Sequence, residues 1–149
     1  MKHLALLVIL LSSSVHASEA LYRMTQNGAA SCLARAVYQE ANTQGERGKE
    51  AVMAVIVNRA IKKQKHVCAI VKQPSQFSWV KNGTNIAKLT ESKESERFVL
   101  KVVVKTVRSG YNSFNGVEYF YAHKQVKPVW ATKMVCSRME DHTFCGEKK

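Results

Sequence analysis

AVYQEANTQGERGKEAVMAVIVNR, residues Ala36 to Arg59, decides how the chain is read. Its first half continues a helical pattern in which Glu40 follows Leu33, Ala36 and Val37 at spacings of seven, four and three, so a carboxylate falls on an apolar stripe. The second half, Ala51 to Val57, is apolar around most of a helix circumference and reads as a central buried helix. Between them Asn42 to Gly48 is polar, with Gly45 and Gly48, and reads as a loop. The spacing therefore predicts a helix over about 29–41, a loop over 42–48 and a second helix over about 49–62.

A carboxyl group in such a place is either neutralised by a partner or kept for chemistry. Two features raise its pKa. The inward-packing face makes ionisation costly in solvation, and the helix C-terminus disfavours negative charge. A Glu tuned upward in this way stays protonated near neutral pH and can deliver a proton to a leaving oxygen. The structural alternative is an ion pair with Arg59 on the next helix, which lowers the pKa instead. The pattern alone leaves both open.

Outward from this stretch, HVCAIVKQPSQFSWVKNGTN has a short apolar run at Val67 to Val71, a break at Pro74, and alternation from Gln76 to Val80 before Asn82-Gly83. Asn-Gly is a hairpin-turn signal, so a small β element is expected here. A third helix is expected over about 91–109, with Thr90 or Ser92 as cap and Gly110 as terminator. Its many valines have middling helix propensity, so packing must hold it. A turn at Asn115-Gly116 then leads into VEYFYAH, a strand-like aromatic run, and CSRMEDHTFC closes the domain.

With 149 residues and no repeat, low-complexity tract or interdomain linker, the chain reads as one α+β domain, mostly helical with a small β-hairpin part. Residues 1–17 have the three parts of a secretory signal: Lys2, the apolar run Leu4 to Leu11, and Val15-His16-Ala17. That run is far shorter than the roughly 20 residues that span a bilayer. Export with cleavage near Ala17 leaves residues 18–149 as the working domain, secreted or periplasmic, with no stable membrane span. Cys32, Cys68, Cys136 and Cys145 make an even count, which in an exported domain suggests two disulfides. Three pairings are possible. The favoured one closes a short loop with Cys136–Cys145 and ties the first helix to the segment after the second with Cys32–Cys68. No CxxC or His at zinc-ligand distance from a Cys pair is present, so no metal site is expected.

The formal charge is +12, and losing Lys2 with the leader leaves +11. Such a balance favours polyanionic partners, nucleic acid or an anionic cell envelope, and export points to the envelope.

The segments CLARAVYQEANTQGERGKEAVMAVIVNR, VCAIV and QFSWVKNG together resemble the SleB/CwlJ-type cell wall hydrolase family. Cys32, Leu33, Ala34, Tyr38, Glu40, Ala41, Gly48, Ala51, Val52, Val55, Asn58 and Arg59 fit its first motif. Tyr121, Val126, Pro128, Trp130, His142 and Phe144 fit the C-terminal part, so the likeness runs from about Cys32 to Cys145. The resemblance implies a lysozyme- or transglycosylase-like fold and cleavage of peptidoglycan glycan strands between N-acetylmuramic acid and N-acetylglucosamine. It implies Glu40 as the catalytic acid and no metal or organic cofactor. The expected partner is the peptidoglycan glycan strand, with no specific nucleic acid, and the chain is read as a monomer.

Three departures stand out. The family's E-A-R-x-E is here Glu40-Ala41-Asn42-Thr43-Gln44, Met53 replaces an Ala, and Ser75 replaces a frequent Cys. Loss of the second carboxylate bears on mechanism, because ordinary retaining and inverting hydrolases use two. A lytic transglycosylase needs only one. Glu46 and Glu50 are the candidates for a second carboxyl, the favoured alternative being a solvated place on the loop or the helix start. Gln76, Phe77 and Ser78 are expected to line the substrate groove, the alternative being a structural hairpin. Tyr121 is expected near the scissile bond or in the core. Trp79 and Trp130 suit either a sugar face or packing, His142 either bracing or substrate contact, and Asn58 and Arg59 anchor the second helix. His123 is assigned no role. Beside the transglycosylase stand a hydrolytic muramidase and a non-catalytic wall- or nucleic-acid-binding module that keeps the fold.

Overall fold

The computed structural model describes residues 28–81, 93, 94, 97, 98, 101 and 114–148. The leader and Asn82-Gly83 lie outside these residues. Of the expected third helix only residues 93, 94, 97, 98 and 101 are described, and they are helical.

Helix α1, Ala29–Ala41, starts after Gly28, whose φ of 80° is a left-handed conformation that suits glycine. Leu33, Ala36 and Val37 are fully buried along its inner stripe. Helix α2, Glu46–Lys63, begins three residues earlier than the pattern suggests and takes Gly48 into its first turn. The loop is correspondingly short, 42–45. The reason for the early start comes from far along the chain. The carboxylate of Glu140 accepts a hydrogen bond from the Gly45 N–H at 2.6 Å, placing negative charge at the positive end of α2. A Cβ on Gly45 would stand 2.8 Å from Glu140 Oε1, and one on Gly48 would stand 2.9 Å from Gln44 Cβ, so both glycines make room for this approach. From Ala51 to Ala60 every residue of α2 is buried, as expected for a central helix.

The segment after α2 corrects the expectation of a β element. Val67–Val71 is a one-turn helix, α3, and residues 72–80 are turns. Its buried residues Val67, Ile70 and Val71 follow an i, i+3, i+4 spacing, which a helix satisfies and a strand does not. His66 precedes it, and its Nδ1 accepts a hydrogen bond from the Cys68 N–H at 3.2 Å. Cys68 is bonded to Cys32 of α1.

The β structure lies at the C-terminal end of the chain. Strands β1 (Tyr119–Ala122), β2 (Val135–Met139) and β3 (His142–Gly146) form an antiparallel sheet in the order β1-β3-β2. The aromatic run is thus a strand. Short 3-10 turns at Phe114–Gly116 and Val129–Lys133 frame β1. Central β3 is buried throughout, whereas most of β2 is exposed. Cys136 and Cys145 face each other across β2 and β3 and are bonded. Both disulfides therefore follow the favoured pairing.

The sheet is fastened to the helices by polar bonds around an apolar centre. Val117 and Phe144 join the helical core. Asn58 Nδ2 donates to the Val117 carbonyl at 2.8 Å, and Arg59 Nε donates to the Glu118 carbonyl. Lys62 pairs with Glu118 and Glu147 at 3.0 and 2.7 Å. Among the described residues no helix is long and apolar enough to cross a membrane.

Candidate active site

Glu40 occupies the last turn of α1 with a half-buried side chain. Its partner is Trp79, whose indole N–H donates to Glu40 Oε1 at 2.7 Å. Burial pushes the Glu40 carboxyl pKa upward, and the hydrogen bond from Trp79 opposes part of that rise. Burial is the larger effect, so the group is biased toward its protonated form.

The ion pair with Arg59 is not formed. Arg59 is buried and turned to other work: besides Glu118, its Nη1 donates to Gln76 Oε1 at 2.8 Å, and its guanidinium lies 5.2 Å from the centre of the Tyr119 ring. A guanidinium has only donors, so it fixes the orientation of the Gln76 amide. The carbonyl oxygen faces Arg59, and the –NH2 remains as the group with which Gln76 can address a ligand.

Trp79 is held in turn by Phe77, stacked at 5.8 Å with an interplanar angle of 29°. Phe77 is buried in the core beneath it and does not line a groove, whereas Ser78 is exposed and Gln76, like Trp79, is half-buried. Tyr121 lies on β1, half-buried, edge-on to Trp130 at 5.7 Å. Glu40, Trp79, Gln76 and Arg59 are thus linked by hydrogen bonds and one tight turn. Among the described residues, Tyr121 connects to them through Trp130 and Tyr119.

Other carboxylates near the sequence motif are engaged elsewhere. Glu46 pairs with Lys101 at 2.9 Å on the outside of α2. Gln44, which stands where the second carboxylate is expected, is buried and bonded to Asp141: its Nε2 donates to Asp141 Oδ2 at 3.2 Å, and its Oε1 accepts from the Asp141 N–H at 3.2 Å. His142 is buried against Phe120, edge-on at 5.3 Å, which is a bracing position. Burial pushes its pKa down. His123 lies 3.3 Å from the Thr143 hydroxyl.

Two participants were not assigned from sequence. Trp79 was weighed as packing or sugar stacking, not as a donor to the acid, and the 39-residue separation gives no signal of it. The Glu140-Asp141 turn was not singled out at all. Its signal is two adjacent acids in a tight hairpin of a basic chain.

The helical core with its small sheet thus holds one half-buried acid, Glu40, beside an ordered donor, Trp79. A family model described as Cell Wall Hydrolase matches residues 43–145, and the chain belongs to that family. Membership places it among enzymes that act on the cell wall. Glu40 lies three residues before the matched span. Two solved structures share the fold. One is the catalytic domain of the germination-specific lytic transglycosylase SleB from Bacillus anthracis, with a TM-score of 0.63 and 23% identity over 78% of this chain and 93% of that one. The other is the catalytic domain of the Bacillus cereus SleB protein, with a TM-score of 0.64 and 23% identity over 78% of this chain and 88% of that one. No curated protein matches.

Proposed function

We propose that this protein is an exported lytic transglycosylase that cleaves the bond between N-acetylmuramic acid and N-acetylglucosamine in peptidoglycan, with Glu40 as its single acid and base. The observation that carries the reading is the Glu40–Trp79 pair. An indole N–H can only donate, so the oxygen it meets, Oε1, is the acceptor, which leaves Oε2 as the oxygen to carry the proton whenever the carboxyl is neutral. A neutral carboxyl with a defined hydroxyl is the form in which a general acid must wait.

The step balances without water. Glu40 Oε2 gives its proton to the glycosidic oxygen as the C1–O bond of muramic acid breaks. The carboxylate so formed takes the proton of the muramic acid 6-hydroxyl while that oxygen bonds to C1. A 1,6-anhydro end and a free 4-hydroxyl are the products, and Glu40 is again protonated. Gln44 in place of a second carboxylate supports this route over hydrolysis, because its amide is committed to Asp141 and cannot act as a base. Gln76 presents –NH2 toward acetamido or lactyl oxygens, and Ser78 and Tyr121 offer hydroxyls. The excess of positive charge holds the protein on the anionic envelope.

Purified peptidoglycan treated with wild type and Glu40→Gln tests the reading. Wild type is expected to clear the suspension and the variant not to, with 1,6-anhydromuramic ends in the products by mass spectrometry. Equal clearing by the variant removes Glu40 from the role, reducing ends in place of anhydro ends make the enzyme a muramidase, and no clearing by either protein leaves a binding module.

A further inference from the structure

Beyond the turn that holds Glu40, a set of aromatic side chains is left half in water. Tyr119 and Tyr121 are two residues apart on β1 and so share a face, while Phe120 between them turns inward onto Phe144 at 5.7 Å. Trp130 stands against both tyrosines, 5.5 Å from Tyr119 and 5.7 Å from Tyr121, and is 39% exposed. The short turn Val129–Lys133, opening after Pro128, carries this indole, and Lys127 and Lys133 flank it in solvent.

A chain of contacts through the buried Arg59 connects this face to the acid. Tyr119 lies beneath the Arg59 guanidinium, Arg59 holds Gln76, and the turn of Gln76 carries Trp79, the donor to Glu40. Every link is a direct contact or a step within one turn. Rigid aromatics with a polar tip give large contact area for little conformational entropy, and their faces accept the C–H side of a pyranose ring. We infer that Tyr119, Tyr121 and Trp130 form a second saccharide subsite, which holds an amino-sugar unit of the same glycan strand away from the bond that Glu40 cleaves. The inference rests on the proposed function for its ligand class. Charge supports that ligand: lactyl and stem carboxylates of the strand would meet the exposed Lys127 and Lys133. A basic aromatic face also suits single-stranded nucleic acid, but its linkage to the proposed general acid through Arg59 and the Gln76–Trp79 turn favours the glycan.

The chain has two tryptophans, so each can be watched alone. In the Glu40→Gln background, Trp79→Phe leaves Trp130 as the sole indole and Trp130→Phe leaves Trp79. Peptide-free glycan strands prepared from peptidoglycan are expected to shift the emission of Trp130 saturably. Trp130→Ala in the same background is expected to weaken binding by about tenfold, the scale of one lost stacking contact, with an unchanged circular dichroism spectrum. Trp130→Phe is expected to keep most of the affinity. An unmoved Trp130 emission overturns the subsite, whether or not Trp79 responds, and so does a response to oligothymidylate with none to glycan. The lysis comparison of wild type with Glu40→Gln reads the proposed function separately.

Discussion

Gln44 and Asp141, 97 residues apart, hold each other by two hydrogen bonds of opposite sense, with side-chain amide to carboxylate and backbone N–H to amide oxygen both at 3.2 Å. Only a side chain with both a donor and an acceptor can make this pair. A glutamate at 44 would accept from the N–H but would set a second carboxylate against Asp141. The departure from the family pattern at this position is therefore matched to the acidic hairpin turn. Gln44→Glu is expected to lower the melting temperature by about 3–4 °C, the shift that roughly 1 kcal/mol makes in a domain of this size, and Asp141→Asn added to it is expected to recover much of the loss. A Gln44→Glu protein as stable as wild type would show that the pair does not bind the turn to the helix.

The same turn has a pH signature. Lys124 first, and then Gln44, hold the Asp141 carboxyl below its ordinary range. A depressed carboxyl stabilises the fold above the unfolded-state value, near 3.9 for Asp, and loses that stabilisation as pH falls through the folded value. Lys124→Met is expected to weaken this acid-side dependence, measured as melting temperature against pH below about 4. An unchanged acid limb contradicts the assignment.

Glu40 carries the opposite sign. Its folded pKa is raised, mainly by burial, so the stability it contributes is fully present below the unfolded value and is lost as pH rises through the folded one. Glu40→Gln removes the ionisable group but keeps its shape. It is expected to melt higher than wild type at neutral pH and close to wild type at pH 4, while activity falls by about 10²- to 10⁴-fold, the usual contribution of a general acid. Trp79→Phe takes away the donor that favours the carboxylate. The alkaline limb of its pH–activity profile is expected to move to higher pH, with kcat reduced more than KM changes. A limb that stays in place shows that the indole N–H does not act on this acid.

Much of this arrangement is legible in local spacing. The stripe of α1 and the all-round apolarity of α2 follow from period and composition, and so does the placing of Glu40 on an inward face. The favoured cysteine pairing matches the bonds formed. What local spacing misses depends on distant partners. The early start of α2 depends on Glu140, the partner of Glu40 on Trp79, and the orientation of Gln76 on Arg59. The segment 67–80 misleads for a different reason: all five residues of VCAIV are apolar, so the sequence pattern itself does not separate strand from helix, and only the observed burial of Val67, Ile70 and Val71 does. The anchoring of Cys68 to α1 and the cap from His66 go with the helical outcome.

Gly48 offers a test in which propensity and packing disagree. Inside a helix, alanine in place of glycine stabilises by about 1 kcal/mol. Here its Cβ would stand 2.9 Å from Gln44 Cβ and 3.1 Å from Glu140 Oε2, so it pushes against both anchors of the hairpin turn. Gly48→Ala is expected to destabilise by about 1–3 kcal/mol, the range for overpacking, read from urea unfolding. A stabilised variant would show that the Glu140 carboxylate moves aside at little cost.

The two disulfides should not contribute equally. Cys32–Cys68 closes a separation of 36 residues and Cys136–Cys145 one of nine. On loop entropy alone the first restrains the unfolded chain by about 4 kcal/mol and the second by about 3 kcal/mol. Position widens the gap. Cys32 lies on the helix that carries Glu40, and Cys68 on the helix that leads into the Trp79 turn, so cutting this bond frees the acid from its donor as well as destabilising the fold. Cys136 is on the exposed strand β2, at the outer edge of the sheet. Cys32→Ala with Cys68→Ala is therefore expected to lose activity at temperatures where the protein is still folded by circular dichroism. Cys136→Ala with Cys145→Ala is expected to lose stability while keeping the pH–activity profile of wild type at lower temperature. The opposite ranking in a paired assay of melting and peptidoglycan clearing would place the restraint on the sheet rather than on the helices that carry the acid.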